Sequence, residues 1–421
     1  MLTQNFPACG IDFGTSNSTL ASFTHGKPEL VPLEAGKTNL PSAVFYGHEK
    51  PDAFLIGRAA VEAYVDGAPG RLMRALKSIL SQSLIHEQTP IFRRKISFAS
   101  IIAQYLGEVK ARAEKHVQRE LTQVVMGRPV QFVDNDSAAN EFAEKTLHDI
   151  ARSIGFKDVS FQFEPVAAAL EFERHLSTEK LALIADLGGG TADFSTIRLG
   201  GLRKNKDRRQ DILANTGTRV GGTDFDTYLS MAEFMPRFGY GTQMTRGDLD
   251  LPSAPFWDLS TWSRVHNLYE PKFNTLLKAI RYDAQQPKLV DRFIHLVAER
   301  RCHSLLMEVE ASKIKLSDAT SAMADFGWFE KDLRIEASRE RFESSTAKHR
   351  DKLERMVLDC LKLAGISPAQ IDVIFFTGGT SFVPSVRGAI TRVVPGAEIV
   401  NGDQFGAVGL GLGIEAGNRY G

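Results

Sequence analysis

Residues 183–195 read Leu-Ile-Ala-Asp-Leu-Gly-Gly-Gly-Thr-Ala-Asp-Phe-Ser: an apolar run that ends on a carboxylate, turns through three glycines and leaves as a second strand. Leu181 to Ala185 is continuously apolar, as expected of a strand buried on both faces, and Asp193 to Leu199 is the returning strand. Three successive glycines lose more chain entropy on folding than an ordinary turn requires, and without side chains they let a ligand approach the backbone closely. No Gly-Lys-Ser/Thr follows, so this is not a Walker loop, and the GxGxxG spacing of a dinucleotide fingerprint is absent.

The same form occurs near the amino terminus. Ile11 to Phe13 leads into Gly14-Thr15-Ser16-Asn17-Ser18, and Thr19 to Phe23 reads as the returning strand. Asp12 stands where Asp186 stands in the later copy. A repeat about half a chain apart predicts two related lobes facing one cleft. A turn of glycine and hydroxyl residues can aim backbone N–H groups inward as an anion nest, and the preceding carboxylate is close enough for a hydrated cation. Phosphate with magnesium is the natural ligand of such a pair, while the first turn taken alone is equally readable as a polar hairpin.

Elsewhere strands alternate with helices. Val159, Phe161 and Phe163 alternate with Ser160 and Gln162, and Pro165 then opens a helix through Ala167 to Leu170. Val373 to Phe376 is a buried strand that breaks at Thr377-Gly378-Gly379-Thr380 before a helix near Pro384. Helical spacing links Ile101, Tyr105, Val109 and Val117, and again Leu353, Met356, Val357, Cys360 and Ala364, the latter stopping at Gly365. These patterns predict an α/β protein with two covered sheets. Residues 36–120 and 225–305 lack the strand-glycine-turn signature and read as inserted subdomains. That leaves 1–35 with 121–178 as the core of the first lobe, and 179–224 with 306–421 as the core of the second. The basic run Lys204 to Arg209 reads as a solvated hairpin loop.

Composition narrows the class. The 421 residues suffice for two to four compact units, and 51 basic residues balance 51 acidic ones. Neutrality argues against a nucleic-acid binder working by bulk charge and against a membrane-surface protein. Cys9, Cys302 and Cys360 form no CxxC pair and the ten histidines no HExxH, so neither a disulfide framework nor a zinc site is expected. The first residues lack a signal peptide's pattern and no apolar run nears the length of a membrane helix, which points to a soluble, cytoplasmic protein.

Taken as a set, GIDFGTSNS (10–18), FEPVAAAL (163–170), LIADLGGGTADFS (183–195), RVGGTDFD (219–226), FFTGGTSFVPSV (375–386) and GDQFGAVGLGLG (402–413) resemble, in order and spacing, the ATPase domain of DnaK-type heat-shock chaperones. The resemblance covers essentially the whole chain. It implies an actin-like ATPase fold, two duplicated ribonuclease H-like lobes around a nucleotide cleft, with an inserted subdomain in each. Because the chain ends soon after the last motif, the expectation is a stand-alone member without the peptide-binding domain, acting as a monomer with an unidentified protein partner or co-chaperone. The implied cofactors are ATP or ADP and Mg2+, with K+ as an accessory ion.

Residue by residue, the resemblance implies that Gly14, Thr15, Ser16 and Asn17 grip the phosphates from one lobe. Gly189, Gly190 and Thr191 would do so from the other, and Gly188, Gly221 and Gly222 are further cofactor-binding positions. Asp12 and Asp186 would hold hydrated magnesium and order the attacking water, with Thr191 and Asp193 beside them and Glu164 facing the same cleft. Lys77 matches the family's catalytic lysine by position. Glu310, Lys313, Ile314 and Ser317 fall at i, i+3, i+4 and i+7 on one helix face. With Gly378, Gly379 and Thr380 they would surround ribose and base. Ile314 and Phe382 stand where the family commonly has arginines, so a purine would be held by dispersion and stacking in place of cation–π contacts.

The motif GLGLG at 409–413 reads as close packing of a terminal helix on a sheet. Other readings remain open: a metabolite kinase of the same superfamily, a filament former, and a nucleotide-binding switch without turnover.

Overall fold

In the computed structural model, which describes residues 7–24, 27–48, 53–80, 85, 87–92, 94–133, 136–200, 208–400, 403 and 405–421, the run that opens the second lobe is a central strand, Lys180–Leu187. Its antiparallel neighbour is Ala192–Leu199, which pairs in turn with Ile212–Thr218; on the other side lie Val373–Thr377 and Glu398–Val400, both parallel. The amino-terminal run Ala8–Phe13 is the centre of a sheet with the same order and senses. Asn17–Thr24 and Lys27–Leu30 are antiparallel on one side, and Gln123–Arg128 and Asp158–Phe163 parallel on the other. The sequence repeat is thus a repeat of topology. In both sheets the carboxylate sits on the central strand just before the turn, Asp12 opposite Thr19 and Asp186 opposite Asp193.

Among the described residues four hydrophobic clusters hold the layers. The first sheet contributes Ile11, Leu20, Val124 and Met126 to a core completed by Ile101, Tyr105, Val109 and Leu147. Those partners come from helices Phe98–Val117 and Ser137–Ser153, so part of the 36–120 segment packs directly on the first sheet. The rest of that segment builds a small antiparallel sheet of Phe54–Ile56, Ala43–Gly47 and Gly70–Arg74, covered by helix Gly57–Val65 through Ala60 and Phe45. The second sheet shares one core with the 225–305 segment, in which Leu183 and Phe194 join Phe256, Leu277 and Phe293.

Between the sheets, helices Glu164–Glu173 and Ala407–Tyr420 pack together over Val125, Ile184 and Phe375. Here the GLGLG motif lets backbones touch: a Cβ on Gly411 would lie 1.9 Å from the Ala167 carbonyl oxygen, and one on Gly413 would lie 2.7 Å from Ala21 Cβ. A backbone carbonyl cannot swing aside as a side chain can. Gly411→Ala is therefore expected to destabilise the chain by about 2 kcal/mol and to lower its thermal midpoint by several degrees in scanning calorimetry; an unchanged midpoint would refute the close approach.

The basic run departs from its sequence reading at one end. Arg208 is buried and paired with Glu173 and Asp211, so it anchors the strand that follows instead of lying in solvent; residues 204–207 lie outside the described residues. Among the described residues no helix is long and apolar enough to cross a membrane. The three cysteines are buried and unpaired.

Candidate functional site

The two glycine-containing turns meet. A Cβ on Gly189 would lie 2.3 Å from Ser16 Oγ, so the second lobe's turn passes within contact of the first lobe's. The first turn is stiffened from below by Ser42, whose hydroxyl donates to the Gly14 carbonyl at 2.7 Å and whose amide donates to the Ser16 carbonyl at 2.9 Å. Behind the second turn runs the RVGGTDFD segment. The Gly222 amide donates to the Gly188 carbonyl at 3.0 Å, and the Thr223 amide to the Gly189 carbonyl at 2.8 Å. A Cβ on Gly221 would meet Gly190 N at 2.5 Å and Gly189 C at 2.6 Å, which is why this position is glycine.

Carboxylates converge beneath the turns. Burial raises the pKa of Asp12, and the neighbouring charge of Glu164 raises it further. Burial likewise raises Asp186, with Glu164 adding to it, although Thr377 Oγ1 donates to its Oδ1 at 3.0 Å. Asp193 is pushed up to about 7 by burial and then by Asp186. Lys77 closes the group: its Nζ donates to Glu164 Oε1 at 2.5 Å. Burial alone would lower the ammonium's pKa, but Glu164, Asp12 and Asp186 outweigh that and hold it raised and charged. Glu164 is brought into position by Pro165, which starts the helix Glu164–Glu173 at the end of strand Asp158–Phe163.

These acids crowd one another, which is the electrostatic condition for a cation site. Among the described residues no three His, Cys, Asp or Glu side chains form a direct metal cage. Asp12, Asp186 and Asp193 are the carboxylates that would hold a hydrated cation at this point, since Mg2+ dehydrates reluctantly and keeps several of its waters.

A third wall is formed by helix Cys302–Asp318 and the Gly378 turn. Lys313 is buried, with Nζ 2.8 Å from Asp226 and 3.2 Å from the Gly222 carbonyl. Burial raises Asp226 to about 6, with Lys313 pulling in the opposite sense. Thr380 Oγ1 donates to the Gly188 carbonyl at 2.8 Å. Gly378 adopts φ +78°, and a Cβ there would lie 2.3 Å from the Leu187 carbonyl oxygen. On the same helix Glu310 is exposed and Ile314 is 60% exposed, while Ser317 bonds back to the Lys313 carbonyl. Phe382, 46% exposed, stacks on Phe405 with centroids 5.5 Å apart.

The structure therefore groups Asp12, Glu164, Asp186, Asp193 and Lys77, sets Gly14 to Asn17 against Gly188 to Thr191, and backs the second turn with Gly221, Gly222, Lys313 and Thr380. Ser42, Thr377, Asp226 and Phe405 belong to the same surroundings and were not picked out from the sequence. Asp226, Thr377 and Phe405 lie within quoted motifs; Ser42 acts by a hydrogen bond across 28 residues, for which a linear sequence carries no mark.

Two copies of one five-stranded topology, meeting turn to turn above a carboxylate cluster, define an actin-like ATPase fold. The family model for the Hsp70 protein matches residues 8–242 and 278–419, and the chain belongs to that family. It is similar to a "Chaperone protein dnaK" of Emiliania huxleyi, with 24% identity over 430 residues, covering 97% of this chain and 59% of the relative. The chain thus spans about three-fifths of the length of this curated relative.

Proposed function

We propose that the chain binds Mg-ATP between its lobes and hydrolyses it to ADP and phosphate, using lobe closure to signal nucleotide state to a protein partner, as a chaperone-like ATPase. The observation that supports this reading is the contact of Ser16 with Gly189, which joins two glycine-containing turns from different lobes, each following an aspartate of the charge cluster around Lys77. In this reading the backbone of Gly14 to Asn17 and Gly188 to Thr191 clamps the phosphates, with the altered wall of Ile314 and Phe382 facing the base. Magnesium, when bound, neutralises charge on the β- and γ-phosphate oxygens. Lys77 stabilises charge on the transferring phosphoryl group while water oxygen bonds to the γ-phosphorus and the β–γ bridging oxygen departs with ADP. Asp12 and Asp186 orient the water. Its proton leaves with the phosphate product or to solvent.

Binding of ATP, ADP and GTP with magnesium by calorimetry, followed by turnover of the tightest ligand, tests the reading. No binding overturns it, and binding without turnover favours a switch that does not hydrolyse.

The raised acids add a pH dependence. Without a bound cation Asp193, at about 7, and Asp12, at about 8, retain protons near neutrality, whereas a cation needs them ionised. Raising pH removes those protons, so magnesium-dependent nucleotide affinity is expected to climb between about pH 6 and 8, with up to about tenfold per unit for each proton released. Calorimetry in two buffers of different ionisation heat would count the protons. Equal apparent heats in both would refute the coupling.

A further inference from the structure

Away from the carboxylate group, the two lobes touch at a second place. Tyr64 lies on helix Gly57–Val65 and Arg74 is the last residue of strand Gly70–Arg74, both in the segment attached to the first lobe. Opposite them, Trp262 opens the helical stretch Trp262–Tyr269 and His303 lies on helix Cys302–Asp318, both in the second lobe. The Tyr64 ring meets His303 edge-on at 4.8 Å, and His303 meets Trp262 edge-on at 4.6 Å. The Arg74 guanidinium lies 4.5 Å from the centre of the Trp262 ring. A side chain from the first lobe therefore packs on each member of a Trp–His pair from the second. His303 is 6% exposed, and burial lowers it to about 4, so it joins the contact as a neutral ring and does not repel Arg74 at neutral pH. Glu310 and Asp226 add their attraction for Arg74 from the second lobe.

The residue after Arg74 ties this contact to the catalytic group. Ala75 has φ 56° and ψ 36°, the left-handed region, which costs a residue bearing a Cβ about 1 kcal/mol. That reversal turns the chain out of the strand and into the short helix Leu76–Ile79, so that Arg74 faces Trp262 while Lys77, three residues on, reaches Glu164. The segment is pinned at two points, one on each lobe.

We propose that Tyr64, Arg74, Trp262 and His303 form a clasp across the cleft, and that Arg74, through the left-handed link at Ala75, is a positioning residue for Lys77. The inference rests on the ATPase reading above. With the clasp shut, Lys77 is held at Glu164 beneath the facing turns. With it open, the strand end is released from the second lobe, Lys77 loses its fixed position and the nucleotide loses its cover. Closure and chemistry are thus coupled through three residues of backbone.

The test measures, in the full chain, single-turnover ATP hydrolysis and the release rate of a fluorescent ADP analogue. Arg74→Ala is expected to slow hydrolysis about fivefold and to speed release about fivefold, the scale of a cation–π contact made by an exposed arginine. Arg74→Lys, which keeps a cation over the indole, should restore both to within about twofold. Lys77→Ala should slow hydrolysis without speeding release. Arg74→Ala within about twofold of the unaltered chain in both rates overturns the clasp, as does a loss that Arg74→Lys fails to restore. Failure of the unaltered chain to bind nucleotide overturns the ATPase reading instead. In that event acrylamide quenching of Trp262, in a Trp257→Phe and Trp328→Phe background, still reads the contact: increased quenching on Arg74→Ala supports the clasp, and unchanged quenching overturns it.

Discussion

Lys77→Ala is expected to slow single-turnover ATP hydrolysis by about a hundredfold, roughly 3 kcal/mol of transition-state stabilisation, while ATP still binds. The lysine's ammonium is buried beside Glu164, which accepts its hydrogen bond and, with Asp12 and Asp186, outweighs the effect of burial on its charge. It lies at the base of the cleft, below the turns that would clamp the phosphates, so its charge is best placed for oxygens whose negative charge grows as the γ-phosphoryl group transfers. Much of the binding energy would come from the turns and the third wall, which the substitution leaves in place. The same change strips the buried Glu164 of its partner. The nucleotide-free variant should therefore also unfold at lower temperature, because an unpaired buried carboxylate is costly. Hydrolysis at the original rate would remove Lys77 from the mechanism; a lower thermal midpoint without slower hydrolysis would assign it a structural role alone.

Gly221→Ala is expected to weaken nucleotide binding by about a hundredfold or more, a larger loss than any single side chain on the third wall would give. The added methyl would sit at 2.5–2.6 Å from backbone atoms of Gly189 and Gly190. Real carbon contacts do not come so close, so one of the two segments must move. The RVGGTDFD segment is bound to the turn by the amides of Gly222 and Thr223, and its helix is fixed in turn by the Gly221 amide bonding to Asp224 and by Lys313 at Asp226. The turn itself, carrying three glycines, is the softer partner, and its displacement spoils the clamp from the second lobe. Calorimetric titration with Mg-ADP checks this. Affinity within about threefold of the original would show that the turn is not part of the phosphate site.

These expectations differ in how far they could be seen in the chain itself. The turns at Gly14 and Gly188, the aspartates ahead of them and the helix begun by Pro165 are local features: spacing, apolar runs and glycine use specify them, because a strand, a turn and a helix start depend on neighbouring residues. The paired order of the two sheets is also foreshadowed, since both central strands carry the same run into the same turn. The split of the 36–120 segment is not. Helix Phe98–Val117 shows an ordinary amphipathic stripe, and nothing in a stripe says whether it meets the first sheet or a separate subdomain. Arg208 illustrates the same limit, for a basic run looks solvated until Glu173, 35 residues earlier, is found beside it.

What the sequence determined by itself is the class of fold, the two turns and the types of residue available for phosphate and magnesium, all set by short-range patterns of polarity and backbone freedom. What tertiary structure alone decided is which of those residues meet. Lys77 has an unremarkable local context and acquires its place only because Ala75 reverses the chain and Glu164, 87 residues away, receives the ammonium. Tyr64, Arg74, Trp262 and His303 come from three separate stretches and touch only where the second lobe folds against the first. Contacts of that kind depend on the relative placement of whole layers, which is set by the packing of large cores and leaves no periodic trace in the residues that finally touch.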